Sequence, residues 1–146
     1  LSLTKDGHSA IFTTTGNPDC HLILRGGRRG PNFDADSVED AAGRLAKAGL
    51  DSRLMVDCSH ANSGKSADRQ AEVCRDLASR VSEGDHRIMG LMMESHLKAG
   101  RQDLEPGQAL AYGQSITDAC LGWDDTVGLL EELAASVRSR RQHSAA

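Results

Sequence analysis

Short apolar runs alternate with longer helical repeats along most of the chain. Three apolar runs bounded by turn residues predict buried strands: residues 20–25, 54–58 and 88–93. Apolar positions spaced by three or four predict helices: residues 37–48, with a capping-box-like start at Ser37, 67–81 and 125–138. Two short segments around Asp6-Gly7 predict a β-hairpin over residues 1–14. Strand and helix in threefold alternation predict an α/β fold with a parallel sheet.

The spacing of the strands narrows the fold further. The predicted strands end at Arg25, His60 and Glu94, at separations of 35 and 34 residues. A (β/α)₈ barrel uses about 31 residues per unit, so three units are about three-eighths of a barrel. A flavodoxin-like open sheet has a similar spacing, and the period alone does not distinguish the two.

Each predicted strand is followed by a side chain that can do chemistry: Arg25, His60 and Glu94. Because the carboxyl ends of parallel strands meet at one edge of a sheet, where α/β proteins bind ligands, we expect these side chains to converge. An arginine before Gly26-Gly27 suits a phosphate or carboxylate. A surface arginine before a turn fits the same pattern equally well.

His60 and Glu94 are typical of half a metal site, because imidazole and carboxylate together suit Zn, Mn, Fe or Co. Asp118, in the loop after the third strand, is one candidate for a third ligand. The alternative for His60 is a hydrogen-bonded core histidine. The spacing also leaves three rival ligands open: Asp57, His96 and Asp103.

Composition excludes several classes of protein. A net charge of −4 and only four aromatic residues argue against nucleic-acid binding. The sequence contains no run of 18 apolar residues, so no membrane span is predicted, and the first residues lack the features of a signal peptide. The cysteines form no C-x-x-C pair, which predicts a reducing, cytoplasmic setting; they are Cys20, Cys58, Cys74 and Cys120.

Four segments carry a resemblance to a known family: Leu24–Gly27, Asp57–Ser63, Met93–Ser95 and Tyr112–Trp123. Together they resemble the C-terminal portion of class I 3-deoxy-D-arabino-heptulosonate 7-phosphate (DAHP) synthase, the type sensitive to phenylalanine, tyrosine or tryptophan. The order and separations of the segments fit, and the resemblance extends from residue 1 to about residue 141.

The resemblance implies the last three βα units of a TIM barrel and a cytoplasmic enzyme of the shikimate pathway. It implies that phosphoenolpyruvate condenses with erythrose 4-phosphate with the help of a divalent metal ion, and that the protein is a homo-oligomer. Arg25 matches the residue that binds phosphoenolpyruvate, and His60, Glu94 and Asp118 match metal ligands. Ser2 matches a position where a feedback-inhibiting aromatic amino acid binds.

The implied organisation is a regulatory β element over 1–16, barrel units over 17–141 and a disordered tail over 142–146. The family's cysteine ligand and several phosphate-binding side chains have no match here, so we expect residues 1–146 alone to be inactive. Two alternatives remain open. One is another metal-dependent barrel aldolase or hydrolase, and the other is a non-catalytic truncated paralogue.

Overall fold

A computed structural model describes residues 1–143. The chain begins with a short antiparallel hairpin, in which β1 (Ser2–Leu3) pairs with β2 (Ser9–Ala10). Gly7 at its tip has a φ of 80°, which glycine adopts without strain. The predicted hairpin is therefore present, although its paired strands are shorter than the apolar pattern.

The predicted parallel sheet is confirmed. Its strands are β3 (Leu22–Leu24), β4 (Leu54–Asp57) and β5 (Ile88–Met92), in the order β3-β4-β5. Both pairings are parallel, so the three carboxyl ends lie side by side. β4 is the central strand, and Leu54 and Val56 on it are fully buried.

Within residues 1–143, four helices connect and cover the strands: α1 (Ala35–Lys47), α2 (His60–Ser63), α3 (Ala67–Ser82) and α4 (Trp123–His143). The one-turn helix α2 was not predicted. α3 packs against α4, and the core unites one face of each longer helix with the sheet. Its buried members include Val38, Val56, Leu77, Ile88 and Leu129. Within residues 1–143, no helix combines the length and apolarity needed to cross a membrane.

The predicted start of α1 at Ser37 is wrong, because Asp34 caps the helix one turn earlier. The Ser37 backbone N–H donates to Asp34 Oδ1 at 2.9 Å, and its hydroxyl donates to Oδ2 at 2.7 Å. An N-cap carboxylate satisfies amide groups that have no partner inside the helix. Ser37 is therefore the donor in this cap.

α4 extends further than predicted and includes Gln142 and His143, the first two residues of the predicted disordered tail. Contacts with the end of α3 and the start of β5 hold this last part of α4. The Arg140 guanidinium donates to Ile88 O at 2.8 Å, and the Ser139 hydroxyl donates to Ser82 O at 3.2 Å. The rest of the predicted tail, residues 144–146, lies outside the described residues.

Candidate metal centre and active site

His60 follows the central strand and opens α2 with an unusual backbone. Its φ is 50°, a left-handed value that residues other than glycine seldom adopt. Its Nδ1 lies 2.7 Å from Asp57 Oδ2, and since a carboxylate only accepts, Nδ1 carries the proton. In the neutral ring, Nε2 then has the lone pair that can bind a metal, and it lies 3.7 Å from Glu94 Oε1. A carboxylate behind a histidine in this way orients the ring as a metal ligand.

Glu94 stands two residues beyond β5 and is held by its main chain and its side chain. The buried Gln70 of α3 accepts a short hydrogen bond from the Glu94 backbone N–H and donates to its carbonyl at 3.4 Å. The Ser59 hydroxyl donates to Glu94 Oε2 at 2.7 Å. These bonds leave Oε1 facing the His60 ring.

Asp118 comes from the long loop between β5 and α4, which the main chain pins at several points. Gly100 and Cys120 exchange two backbone hydrogen bonds, at 2.9 and 3.2 Å. Leu121 N–H donates to Glu94 O at 2.9 Å. This bond fixes the end of the loop that carries Asp118 next to Glu94. Lys65 Nζ lies 3.2 Å from Asp118 Oδ1.

The structure brings His60, Glu94 and Asp118 together: one ligand atom from each lies within 4.8 Å of the others. Donors bound to one ion through bonds of about 2.0–2.2 Å are at most about 4.4 Å apart, so a small closure suffices. One imidazole and two carboxylates suit a divalent transition metal in both charge and chemistry. The three side chains therefore fit a metal site.

The rival ligands lie outside this group. Asp57 stands behind the His60 ring, on the side away from Glu94, and is nearly fully buried. Asp103 pairs with Arg101. His96 Nδ1 accepts from the adjacent Leu97 N–H at 2.8 Å.

Arg25 follows β3 at the same edge of the sheet. Its side chain is 60% exposed, and its Nε lies 3.9 Å from Asp57 Oδ2. Gly26 has a φ of 74°, and an added Cβ there would lie 2.7 Å from Ala61 Cβ. The close packing of this loop on α2 therefore requires glycine, and it places Arg25 beside the histidine.

Asn62 is a buried site residue whose role the sequence did not reveal. Its side-chain nitrogen donates to Leu24 O and Asp57 O at 3.1 and 2.7 Å, and its oxygen accepts from Asn32 N–H at 2.8 Å. One amide thus joins the ends of β3 and β4. Its position in the segment Asp57–Ser63 is the sequence feature that could have pointed to it, but the neighbouring residues do not indicate its hydrogen-bond partners.

The four cysteines are free, and none belongs to the group of metal-ligating side chains found within residues 1–143. Contact with Cys74 together with burial raises the pKa of the Cys58 thiol. Burial also raises the pKa of Cys120. Both thiols are therefore neutral near pH 7, as expected of core cysteines.

Ser2 lies in the hairpin, exposed and paired with Ala10. The pairing of β1 with β2 joins residues within the hairpin. Ser2 is not one of the residues gathered at the carboxyl edge of the parallel sheet.

Comparison with known proteins gives a consistent result. The profile of the DAHP synthetase I family matches residues 2–131. The chain is 52% identical to the phospho-2-dehydro-3-deoxyheptonate aldolase of Haemophilus influenzae over 142 residues, which are 97% of this chain and 39% of the relative. It is 53% identical to the Phe-sensitive enzyme of Escherichia coli K12 over 141 residues, 97% of this chain and 40% of the relative.

A solved structure agrees with these relatives. Phospho-2-dehydro-3-deoxyheptonate aldolase from Francisella tularensis superposes with a TM-score of 0.83 at 45% identity, over 95% of this chain and 40% of that one. The chain therefore spans about two fifths of the length of the relatives that it matches. The profile match over residues 2–131 shows that the chain belongs to the DAHP synthetase I family, and the identity and the superposition agree with it.

Proposed function

We propose that these residues form the metal-binding and phosphoenolpyruvate-binding part of a 3-deoxy-7-phosphoheptulonate synthase. The observation that carries the proposal is the convergence of His60, Glu94 and Asp118 within 4.8 Å at the sheet edge that also bears Arg25. Family membership supports the reaction, and the superposition supports placing the three βα units in the C-terminal part of a TIM barrel.

In the proposed reaction, C3 of phosphoenolpyruvate attacks the aldehyde of erythrose 4-phosphate. Water then adds at C2, and cleavage of the C–O bond releases phosphate and DAHP. A divalent ion (Mn, Fe, Co or Zn) held by His60, Glu94 and Asp118 supplies Lewis acidity toward the aldehyde oxygen. This is the first step of the shikimate pathway to chorismate and the aromatic amino acids.

The chain's own residues bind and orient the reactants. Arg25 offers a planar guanidinium to an anionic group of phosphoenolpyruvate, which neutralises its charge and fixes its orientation. Asp118 lies at the accessible end of the group, with its side chain 34% exposed, where it can also take or give a proton. Asp57 and Ser59 touch the ligands from behind and keep them aimed inward.

Regulation and assembly are further parts of the proposal. The hairpin over 1–16 contributes to a site for a feedback-inhibiting aromatic amino acid, with Ser2 lining it, and the protein is a cytoplasmic homo-oligomer. The E. coli relative is described as Phe-sensitive, which supports an aromatic effector. Activity assayed with phenylalanine, tyrosine and tryptophan in turn, on the parent and on Ser2→Ala, tests the site, and light scattering tests the assembly.

The experiment that tests the function uses a complete enzyme. Residues 1–146 are joined to the preceding part of the E. coli relative, in place of the matching 40% of that protein. With Mn²⁺ and both substrates, this complete enzyme is expected to release phosphate and form DAHP. Omitting erythrose 4-phosphate is the control, because a phosphatase would still release phosphate. A folded, Mn²⁺-binding protein that forms no DAHP would contradict the proposal.

A further inference from the structure

Asp57 is a buried carboxylate that contacts both halves of the proposed site. It ends the central strand, and its side chain is 3% exposed. Its Oδ1 accepts from the Ser59 backbone N–H at 2.7 Å. Its Oδ2 lies 2.7 Å from His60 Nδ1 and 3.9 Å from Arg25 Nε.

One oxygen atom is therefore shared by a metal-binding side chain and a substrate-binding side chain. A buried negative charge needs partners, and here these two side chains provide them. The imidazole and the guanidinium compete for this oxygen atom, so a stronger interaction with one weakens the interaction with the other. The hydrogen bond to His60 is short and the contact with Arg25 is longer, so a change at the ring alters how firmly Arg25 is held.

Resting on the proposed function, we propose that Asp57 is a positioning residue that couples metal binding at His60 to phosphoenolpyruvate binding at Arg25. A cation on His60 Nε2 makes Nδ1–H a stronger donor and draws the Asp57 carboxylate toward the ring. Arg25 is then released from Asp57 and is free to bind an anion. Metal binding thus tightens phosphoenolpyruvate binding, and linkage requires that phosphoenolpyruvate tighten metal binding by the same factor.

The test is a set of binding measurements on the complete enzyme. Calorimetry gives the Kd of phosphoenolpyruvate in the metal-free and the Mn²⁺-saturated protein. We expect Mn²⁺ to tighten binding by about fivefold or more. In Asp57→Asn, metal-free binding is expected to be tighter than in the parent, and the effect of Mn²⁺ to fall below about twofold. Asp51→Asn, an exposed carboxylate before the other end of β4, is the matched control and is expected to behave as the parent.

A double-mutant cycle separates this coupling from a general effect of removing charge. If Asp57 acts through Arg25, Asp57→Asn will change phosphoenolpyruvate affinity less than twofold once Arg25→Lys is present. An equal effect in both backgrounds would overturn the inference, as would an unchanged dependence on Mn²⁺ in Asp57→Asn. DAHP formation by the parent is scored separately, so failure of the coupling and failure of the function are distinguishable.

A second measurement keeps the inference testable if Asp57→Asn does not fold. Crystal structures of the parent enzyme with and without Mn²⁺ give the separation of Arg25 Nε from Asp57 Oδ2. A longer separation in the Mn²⁺-bound protein is expected. An equal or shorter separation would contradict the release of Arg25.

Discussion

His60 combines a left-handed backbone with a buried partner. Local strain of this kind persists only where the surroundings hold it, and it concentrates at functional sites. Here the Asp57 carboxylate and the hydrogen bond from Lys65 N–H to the His60 carbonyl, at 2.9 Å, provide that hold. The ring nitrogen facing Glu94 is thus fixed before any ligand arrives.

Replacing His60 by alanine is expected to remove most metal binding. Loss of a residue that merely supports a ligand typically costs 10–100-fold in metal affinity, so loss of the ligand itself should cost about 100-fold or more. Elemental analysis and Mn²⁺ titration of the complete enzyme measure this, and DAHP formation should be abolished. His96→Ala, in an exposed residue outside the group, is the control. Full metal occupancy in His60→Ala would exclude His60 as a ligand.

Arg25→Lys is expected to raise the KM for phosphoenolpyruvate by about tenfold or more, because lysine keeps the charge but loses the bidentate geometry. The KM for erythrose 4-phosphate should change much less. Steady-state kinetics of the complete enzyme separate the two. Arg44→Lys, in an exposed arginine of α1 paired with Asp40, is the control. Equal increases in both KM values would argue against a specific role in phosphoenolpyruvate binding.

Among the elements, the loop after β3 determines where Arg25 lies. Gly26→Ala adds a Cβ at a left-handed φ and against α2, which is expected to cost about 2 kcal/mol or more of stability. It should also raise the KM for phosphoenolpyruvate, because the loop must move away. Gly27→Ala is the matched control, since its Cβ would meet nothing within 4 Å. If the two variants had the same denaturant midpoint, the packing of Gly26 against α2 would not contribute to stability.

The start of β5 depends on Asp85. Its oxygens accept from the Arg87 backbone and guanidinium at 2.9–3.0 Å and from Arg80 at 3.3 Å. Burial opposes ionisation, but these bonds prevail and hold the pKa of Asp85 below 3.8. A lowered folded pKa stabilises the protein above about pH 4, and that contribution is lost as the pH falls through the folded value.

Asp85→Asn is therefore expected to lower stability at pH 7 by about 1–3 kcal/mol, with the difference from the parent shrinking below pH 4. Unfolding midpoints measured between pH 3 and pH 7 test this. Asp76→Asn, an exposed residue of α3, is the control. A difference that stays constant down to pH 3 would contradict the ionic role.

The strands and helices of the three βα units were largely predictable, and their connections were less so. Apolar runs such as residues 54–58 locate the strands because burial selects for them, and the order of strands and helices follows from the alternation. The start of α1 was misplaced because Asp34 and Ser37 are both good capping residues. The one-turn helix α2 has no repeat from which a period could be read.

The candidate site was predicted for a similar reason. His60 and Glu94 follow strands, so sequence position alone brings them together at one edge. The loop after the third strand offered Asp118 as one of several candidates, and the family resemblance singled it out, since the loop folds back through long-range bonds such as Leu121 N–H to Glu94 O. Asn62 and Gln70 were missed because partners such as Leu24 O for Asn62 and Glu94 O for Gln70 are 38 and 24 residues away in the chain.

At the scale of the whole molecule, a three-stranded sheet leaves apolar surface uncovered. Within the described residues β3 and β5 are its edges, and large apolar side chains on them are exposed, among them Ile23 and Met89, each 47%. Open edges and apolar faces promote association. We therefore predict that residues 1–146 expressed alone are poorly folded or self-associated and release no phosphate from the two substrates with Mn²⁺.

Light scattering, circular dichroism and a phosphate assay test this prediction, with the complete enzyme as the positive control. Clear turnover by a monodisperse preparation of residues 1–146 would show that the site needs fewer groups than proposed.

The position of the metal tests the central claim most directly. Crystals of the complete enzyme grown with Mn²⁺ are measured at the manganese absorption edge, where anomalous scattering locates the ion independently of any assay. The account predicts one strong peak at bonding distance from His60 Nε2 and from carboxylate oxygens of Glu94 and Asp118. A peak at another set of residues, or none at these three in a Mn²⁺-loaded crystal, would contradict it.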